Sequence, residues 1–102
     1  MHVQIVTFNL NGITQAEYEQ ACETQFAPAF REVPGLLTKI WLSDPPTNTY
    51  GGVYTWRDRA ALQQYLESPL FHSVATHPNL ANITSREFDI LEQPTRATRG
   101  IA

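Results

Sequence analysis

The strand-like segments of this chain carry apolar residues on both of their alternating faces. Between His2 and Leu10, Val3 and Ile5 stand against Val6, Phe8 and Leu10. Between Leu36 and Ser43, Leu37 and Trp41 stand against Leu36, Ile40 and Leu42. Successive side chains of a strand point to opposite sides of its sheet, so a sheet built from these segments needs cover on both. That demand is severe for 102 residues, whose helices can cover one face only. The second cover is most simply another copy of the same sheet, packed face to face through a twofold interface. The pattern predicts a homodimer through the sheet face.

The order of the segments narrows the topology. His2 to Leu10 is rich in β-branched and aromatic residues and ends at the Asn11-Gly12 turn signal. Thr14 and Glu17 have the spacing of a capping box, with Ile13 and Tyr18 placed for a hydrophobic staple. Tyr18, Ala21, Cys22, Gln25, Phe26, Ala29, Phe30 and Val33 then recur at helical spacing. Pro28 inside that stripe predicts a break into two segments at an angle, because proline lacks the amide hydrogen and crowds the preceding turn. Leu36 to Ser43 and Thr49 to Trp56 read as a hairpin, and Gly51-Gly52 in its second strand predicts a bulge or a close approach. Asp58 can cap a short helix carrying Ala61, Leu62, Tyr65 and Leu66. Ser68 as N-cap and Pro69 at the first position open another helix, which stops at His77-Pro78. Ile83 to Leu91 is a last strand, and Gln93 to Ala102 has little to bury. The order strand, helix, strand, strand, helix, strand predicts a ferredoxin-like α+β fold with a four-stranded antiparallel sheet. We take residues 1–92 as its single domain and 93–102 as a C-terminal tail or dimer arm.

Composition closes off several functions. Hydrophobic residues make up 42% and charged residues 17% of the chain, the balance of a globular domain. A net charge of −3 with a single lysine, Lys39, argues against nucleic-acid binding, which depends on clustered cations. One cysteine, Cys22, excludes an internal disulfide and a multi-cysteine zinc site. The start has neither a basic leader nor a long apolar run, so the expectation is a cytoplasmic protein without a membrane partner. No glycine-rich phosphate loop or nucleophile elbow occurs, so no nucleotide cofactor is indicated.

Pro34-Gly35-Leu36-Leu37-Thr38-Lys39-Ile40-Trp41, then Gly51-Gly52-Val53-Tyr54, Asp58, Tyr65-Leu66-Glu67 and the closing Phe88-Asp89-Ile90, resemble the YdhR-like putative monooxygenase family over roughly Gly12 to Pro94. The resemblance implies the dimeric α/β-barrel group. That group also holds cofactor-free oxygenases of polyketide aromatics, haem-degrading enzymes and small polyketide cyclases. Ser68-Pro69-Leu70-Phe71-His72 looks more like the histidine-bearing second helix of the wider oxygenase and cyclase families.

The residues offer several candidates for chemistry. His72 and His77 suit proton transfer near neutral pH, though His77 before Pro78 could equally cap its helix. Five positions apart on a helix, they point roughly 140° from one another, so a joint metal site is not expected. Tyr50, Tyr54 and Trp56 share a strand face with Gly52, where the missing side chain leaves room for a planar ligand; with Trp41 and Phe71 they are candidate substrate contacts, or else core. Tyr54 could donate to an oxyanion. Arg86 shares a face with Thr84, Phe88 and Ile90, and could hold a phenolate or pair with a carboxylate across a dimer. Asn9 could position a carbonyl, and Lys39 beside Trp41 could snorkel or bind.

These readings converge on a small cofactor-independent monooxygenase acting on an electron-rich, polyketide-like aromatic, with His72 as base and Arg86 and Tyr54 as stabilising groups. The alternatives are a polyketide cyclase or lyase using the same pocket, a non-catalytic dimeric protein holding an apolar ligand, and a haem-degrading protein, which needs an axial histidine.

Overall fold

A computed structural model describes residues 1–101 of the protein; Ala102, the end of the expected tail, lies outside them. The elements are β1 (His2–Leu10), α1 (Gln15–Ala21), a π-helical turn (Cys22–Phe26), α2 (Ala27–Arg31), β2 (Leu36–Asp44), β3 (Thr49–Trp56), α3 (Arg59–Leu66), α4 (Pro69–Ala75), β4 (Leu80–Asp89) and α5 (Glu92–Ala97). The strands form one sheet in the order β2-β3-β1-β4. Every neighbouring pair is antiparallel. This is the ferredoxin-like arrangement expected from the element order.

Local chemistry sets the helix starts. Thr14 Oγ1 accepts from the Glu17 amide while Glu17 Oε1 accepts from the Thr14 amide, closing the capping box. Asp58 accepts from the Ala61 amide and Ser68 from the Phe71 amide, so α3 and α4 begin where their caps predict. The first helix departs from expectation at Pro28. The chain does not break: Ala21 and Ala27, on either side of the π turn, keep right-handed helical geometry, and the Ala27 amide reaches back to the Cys22 carbonyl. A wider turn just ahead of Pro28 relieves the crowding that proline causes one turn back.

The helices cover the face of the sheet bearing Val6, Phe8, Tyr50, Tyr54 and Trp56, all buried. Trp56 and Leu62 are fully enclosed, each stabilising the fold by about 2–3 kcal/mol. Two polar side chains of β1 share this burial and are paired. Gln4 accepts from Trp56 Nε1 at 3.2 Å and donates to Ser85 Oγ at 3.0 Å. His2 sets its two ring nitrogens against Asp89 Oδ1 and Glu87 Oε1, each at 3.0 Å.

On the opposite face Ile5, Ile40 and Phe88 stand exposed, Ile40 by 62%; Ile5 pairs with Val53 and Arg86, Ile40 with Val53, and Phe88 with Val3. A register shift between Leu36 and Thr38 corrects the sequence reading of β2: Leu36, opposite Trp56, joins the covered face, leaving Ile40 and Leu42 on the open one. β4 begins at Leu80, three residues before the expected Ile83. Across the expected start of the tail, Glu92–Ala97 forms a short helix with no buried residue.

Candidate functional site

Between the π turn, α2 and the covered face lies a narrow chamber lined by Phe8, Tyr18, Phe26, Phe30, Lys39, Trp41, Gly51, Tyr54, Val74 and Leu80, with about 20 Å³ of free space. Beside it, sharing Tyr18 and Trp41 as walls, opens a cleft of about 430 Å³ that also touches Cys22, Ser43 and Tyr50. Trp41 is 36% exposed and stands between the two spaces.

Lys39 is the one cationic side chain in the chamber wall. It sits opposite Tyr54 across the β2–β3 ladder. Its Nζ lies 3.3 Å from the centroid of the Phe30 ring, 3.6 Å from that of Trp41 and 4.6 Å from that of Tyr54. No carboxylate pairs with it among the described residues. Burial draws its pKa down to about 7, slightly opposed by the Cys22 thiol. The ring faces also favour the ammonium, which keeps the charged and neutral forms close in energy near neutral pH. Two phenols and the thiol near it hold their protons, while Glu19 and Glu23 stand at the rim of the adjoining cleft. Burial first, then Tyr65, pushes the Tyr54 phenol far above its ordinary range. Burial, then Cys22, does the same to Tyr18, and burial raises the Cys22 thiol.

The two glycines of β3 shape this wall differently. At Gly51, φ is +149° and a Cβ would stand 1.9 Å from the Val6 carbonyl oxygen, so the β1 backbone itself is the close approach. At Gly52 a Cβ would meet Lys39 Cε at 3.1 Å and Tyr54 Cε1 at 3.2 Å. The space expected there for a planar ligand is occupied by the lysine arm.

The structure brings together some of the expected residues and separates others. Tyr54 and Trp41 line the chamber, and Tyr50 lines the cleft while donating to Gln15 Oε1 at 2.9 Å. Trp56 is stacked on Tyr54 within the core, with ring centroids 6.0 Å apart, and Phe71 packs edge-on against Tyr65. His72 is exposed on α4 and belongs to neither lining. His77 packs edge-on against Phe26 and accepts from the Asn79 amide at 3.1 Å, so its side chain braces the turn into β4 and donates to no carbonyl at the end of α4 among the described residues. Arg86 is exposed on the open face over the Phe88 ring, with the sheet between it and Tyr54. Asn9 is spent on structure, donating to the Asn48 carbonyl and accepting from Asn82, each at 2.8 Å. Lys39, set down in sequence as snorkelling or binding, turns inward to the chamber wall. Its signal was a lone lysine sharing a strand face with Trp41, under a helix stripe carrying Phe26 and Phe30.

The fold and this aromatic-walled cavity define a ferredoxin-like α+β protein with one ionisable cation at the end of an apolar chamber. Residues 3–101 match the family described as "Putative mono-oxygenase ydhR", and the chain belongs to that family. Solved structures share the fold. A putative antibiotic biosynthesis monooxygenase from Deinococcus radiodurans superposes with a TM-score of 0.71 at 17% identity, over 88% of this chain and 92% of that one. SnoaB, a cofactor-independent oxygenase from Streptomyces nogalater, gives 0.68 at 24% identity, over 89% and 94%. The heme-degrader MhuD from Mycobacterium tuberculosis gives 0.70 at 22% identity, over 89% and 96%. No curated protein sequence matches the chain. The chamber lining contains no histidine, so it does not present the axial nitrogen that a haem would need. Among the described residues no helix is long and apolar enough to cross a membrane.

Proposed function

We propose that the protein is a small cofactor-independent monooxygenase that acts on an electron-rich aromatic, polyketide-like substrate, and that it works as a homodimer through its open sheet face. One observation carries the reading: the aromatic chamber ends on a lysine whose pKa burial brings to about 7. Such an amine is poised to take a proton at neutral pH. It replaces His72 as the base, since His72 lies on the outer side of α4.

In this reading the substrate rings lie in the cleft between Tyr18, Tyr50 and Trp41, with the reacting carbon toward Lys39. The neutral amine removes a proton from an activated methylene. The carbanion passes an electron to O₂, and the two radicals combine to a carbon–oxygen bond. The peroxide takes up a proton from the Lys39 ammonium, then expels water as the second C–H proton leaves, so that CH₂ and O₂ become C=O and H₂O. Tyr54, held protonated, serves as a hydrogen-bond donor to the developing oxyanion. The fold shared with SnoaB, a cofactor-independent oxygenase, supports the reaction class.

The test is oxygen uptake by EDTA-treated protein with a panel of anthrones and hydroxynaphthalenes. Uptake by wild type and His72→Ala, abolished in Lys39→Met, is the expected result. Loss in His72→Ala with retention in Lys39→Met would overturn the assignment of the base, and product formed equally without oxygen would make the protein a cyclase.

A further inference from the structure

We propose that Lys39 is also a carbonyl-capturing amine: its Nζ condenses with an aldehyde or ketone group entering from the cleft, forming a C=N bond and releasing the carbonyl oxygen as water. The inference rests on the reading of the chamber as the ligand site, and not on oxygen chemistry.

Three features carry it. The amine is half-buried against ring faces from α2, β2 and β3, shares a neighbouring opening with Arg31, and makes no ion pair among the described residues. An amine placed so is the usual way a protein makes lysine nucleophilic, because a dry apolar wall withholds the solvation that its ammonium needs. Next, the free space at the chamber is about 20 Å³, room for about one water. A carbonyl group at the tip of a ligand fits that space, whereas a ring must remain in the adjoining cleft of about 430 Å³. Lastly, the missing side chain of Gly52 lets Lys39 Cε lie close against the β3 backbone, where a Cβ would stand 3.1 Å from it, so the arm is seated across the chamber wall. The substrate class is therefore a terminal aldehyde, or a small ketone, on an apolar or aromatic body.

The condensation balances within the site. The neutral amine adds to the carbonyl carbon, one nitrogen proton passes to the oxygen, and the resulting carbinolamine gives up its hydroxyl with the second nitrogen proton as water.

Lys39 is the only lysine in the chain, which makes the test direct. The protein is incubated anaerobically at pH 7 with propanal or 2-naphthaldehyde and cyanoborohydride, and the reduced adducts are located by peptide mass mapping. The amine of Met1 serves as internal reference. Lys39 should be alkylated at least about tenfold faster in the folded chain than in chain unfolded in urea, since an ordinary lysine is almost wholly protonated at that pH. The folded protein's rate should also rise with a midpoint near 7. Labelling of Met1 alone, equal Lys39 rates folded and unfolded, or a midpoint near 10 would overturn the proposal. Because oxygen is absent from this experiment, trapping at Lys39 stands even if no oxygen uptake is ever seen, and uptake without trapping removes capture while leaving the oxygenase.

Discussion

Lys39 Nζ and the Phe30 ring, 3.3 Å from amine to centroid, join the sheet edge at β2 to the helix segment that follows the π turn. The ring face attracts the cation and the surrounding apolar wall repels it. The same contact therefore ties the stability of the fold to the protonation of its site.

The pH dependence follows from the sign of that shift. The folded pKa of Lys39, about 7, lies below its unfolded value near 10.5. Between those values the unfolded chain binds more protons, so stability rises with pH. Below pH 7 the cost of burying the ammonium is fully present; above about 10.5 it is gone. Compared with Lys39→Met, wild type should be less stable at pH 6 by on the order of a few kcal/mol and should recover most of that gap by pH 10. Urea unfolding of both proteins at the two pH values measures it, and a constant gap would show that Lys39 is not desolvated.

Gly51→Ala and Gly52→Ala should part company although they are neighbours. The first drives a methyl into the β1 backbone and should cost more than about 4 kcal/mol or prevent folding. The second meets the lysine arm first, and the Tyr54 ring and the Ile40 carbonyl at 3.2 and 3.3 Å, contacts that small shifts can relieve, so the fold should persist while the Lys39 amine is displaced and its reactivity falls. Thermal melting, together with reductive labelling of Lys39, separates the two effects.

Trp56→Phe should destabilise the protein by about 1–3 kcal/mol through the loss of the one donor that buried Gln4 Oε1 has among the described residues. Adding Gln4→Met in that background should restore part of the loss, because removing both partners costs less than stranding one. A double-mutant cycle by denaturant unfolding gives the answer.

Phe88→Asp, on the open face with Ile5 and Ile40, should abolish the proposed dimer without unfolding the chain. Sedimentation should show wild type at twice the chain mass and the variant at the single mass. Wild type sedimenting as a monomer at micromolar concentration would sink the dimer.

Much of the fold was legible because its signals are local. The Thr14–Glu17 box, the Asp58 cap and the Ser68-Pro69 start each fix a helix end within four residues of chain. The site was less so. A strand pattern tells which residues share a face, but the choice of face to cover is made by the packed helices, and the bulge between Leu36 and Thr38 alters the phase of β2 where Lys39 follows. His72 was misplaced for a simpler reason. Leu70, Phe71 and Val74 define the inner stripe of α4, and a residue directly after Phe71 is turned roughly 100° from it. Arg86 was placed on the right face of β4, but that face looks away from the chamber.

Tyr18, Cys22, Phe26 and Phe30 all face the chamber or its cleft, and they stand four residues apart. On a regular α-helix each such step advances the direction by roughly 40°, and three of them by roughly 120°. That drift would swing Phe30 away from the lysine. The wider turn at Cys22–Phe26 takes up part of it and keeps the four in line. The helix thus works as a vernier: its wide turn holds one residue more than a regular turn would, and rewinding that turn as regular α-helix with every residue kept would leave the strands unaltered, yet dial Phe30 out of the cage and return Lys39 to the behaviour of an ordinary surface lysine.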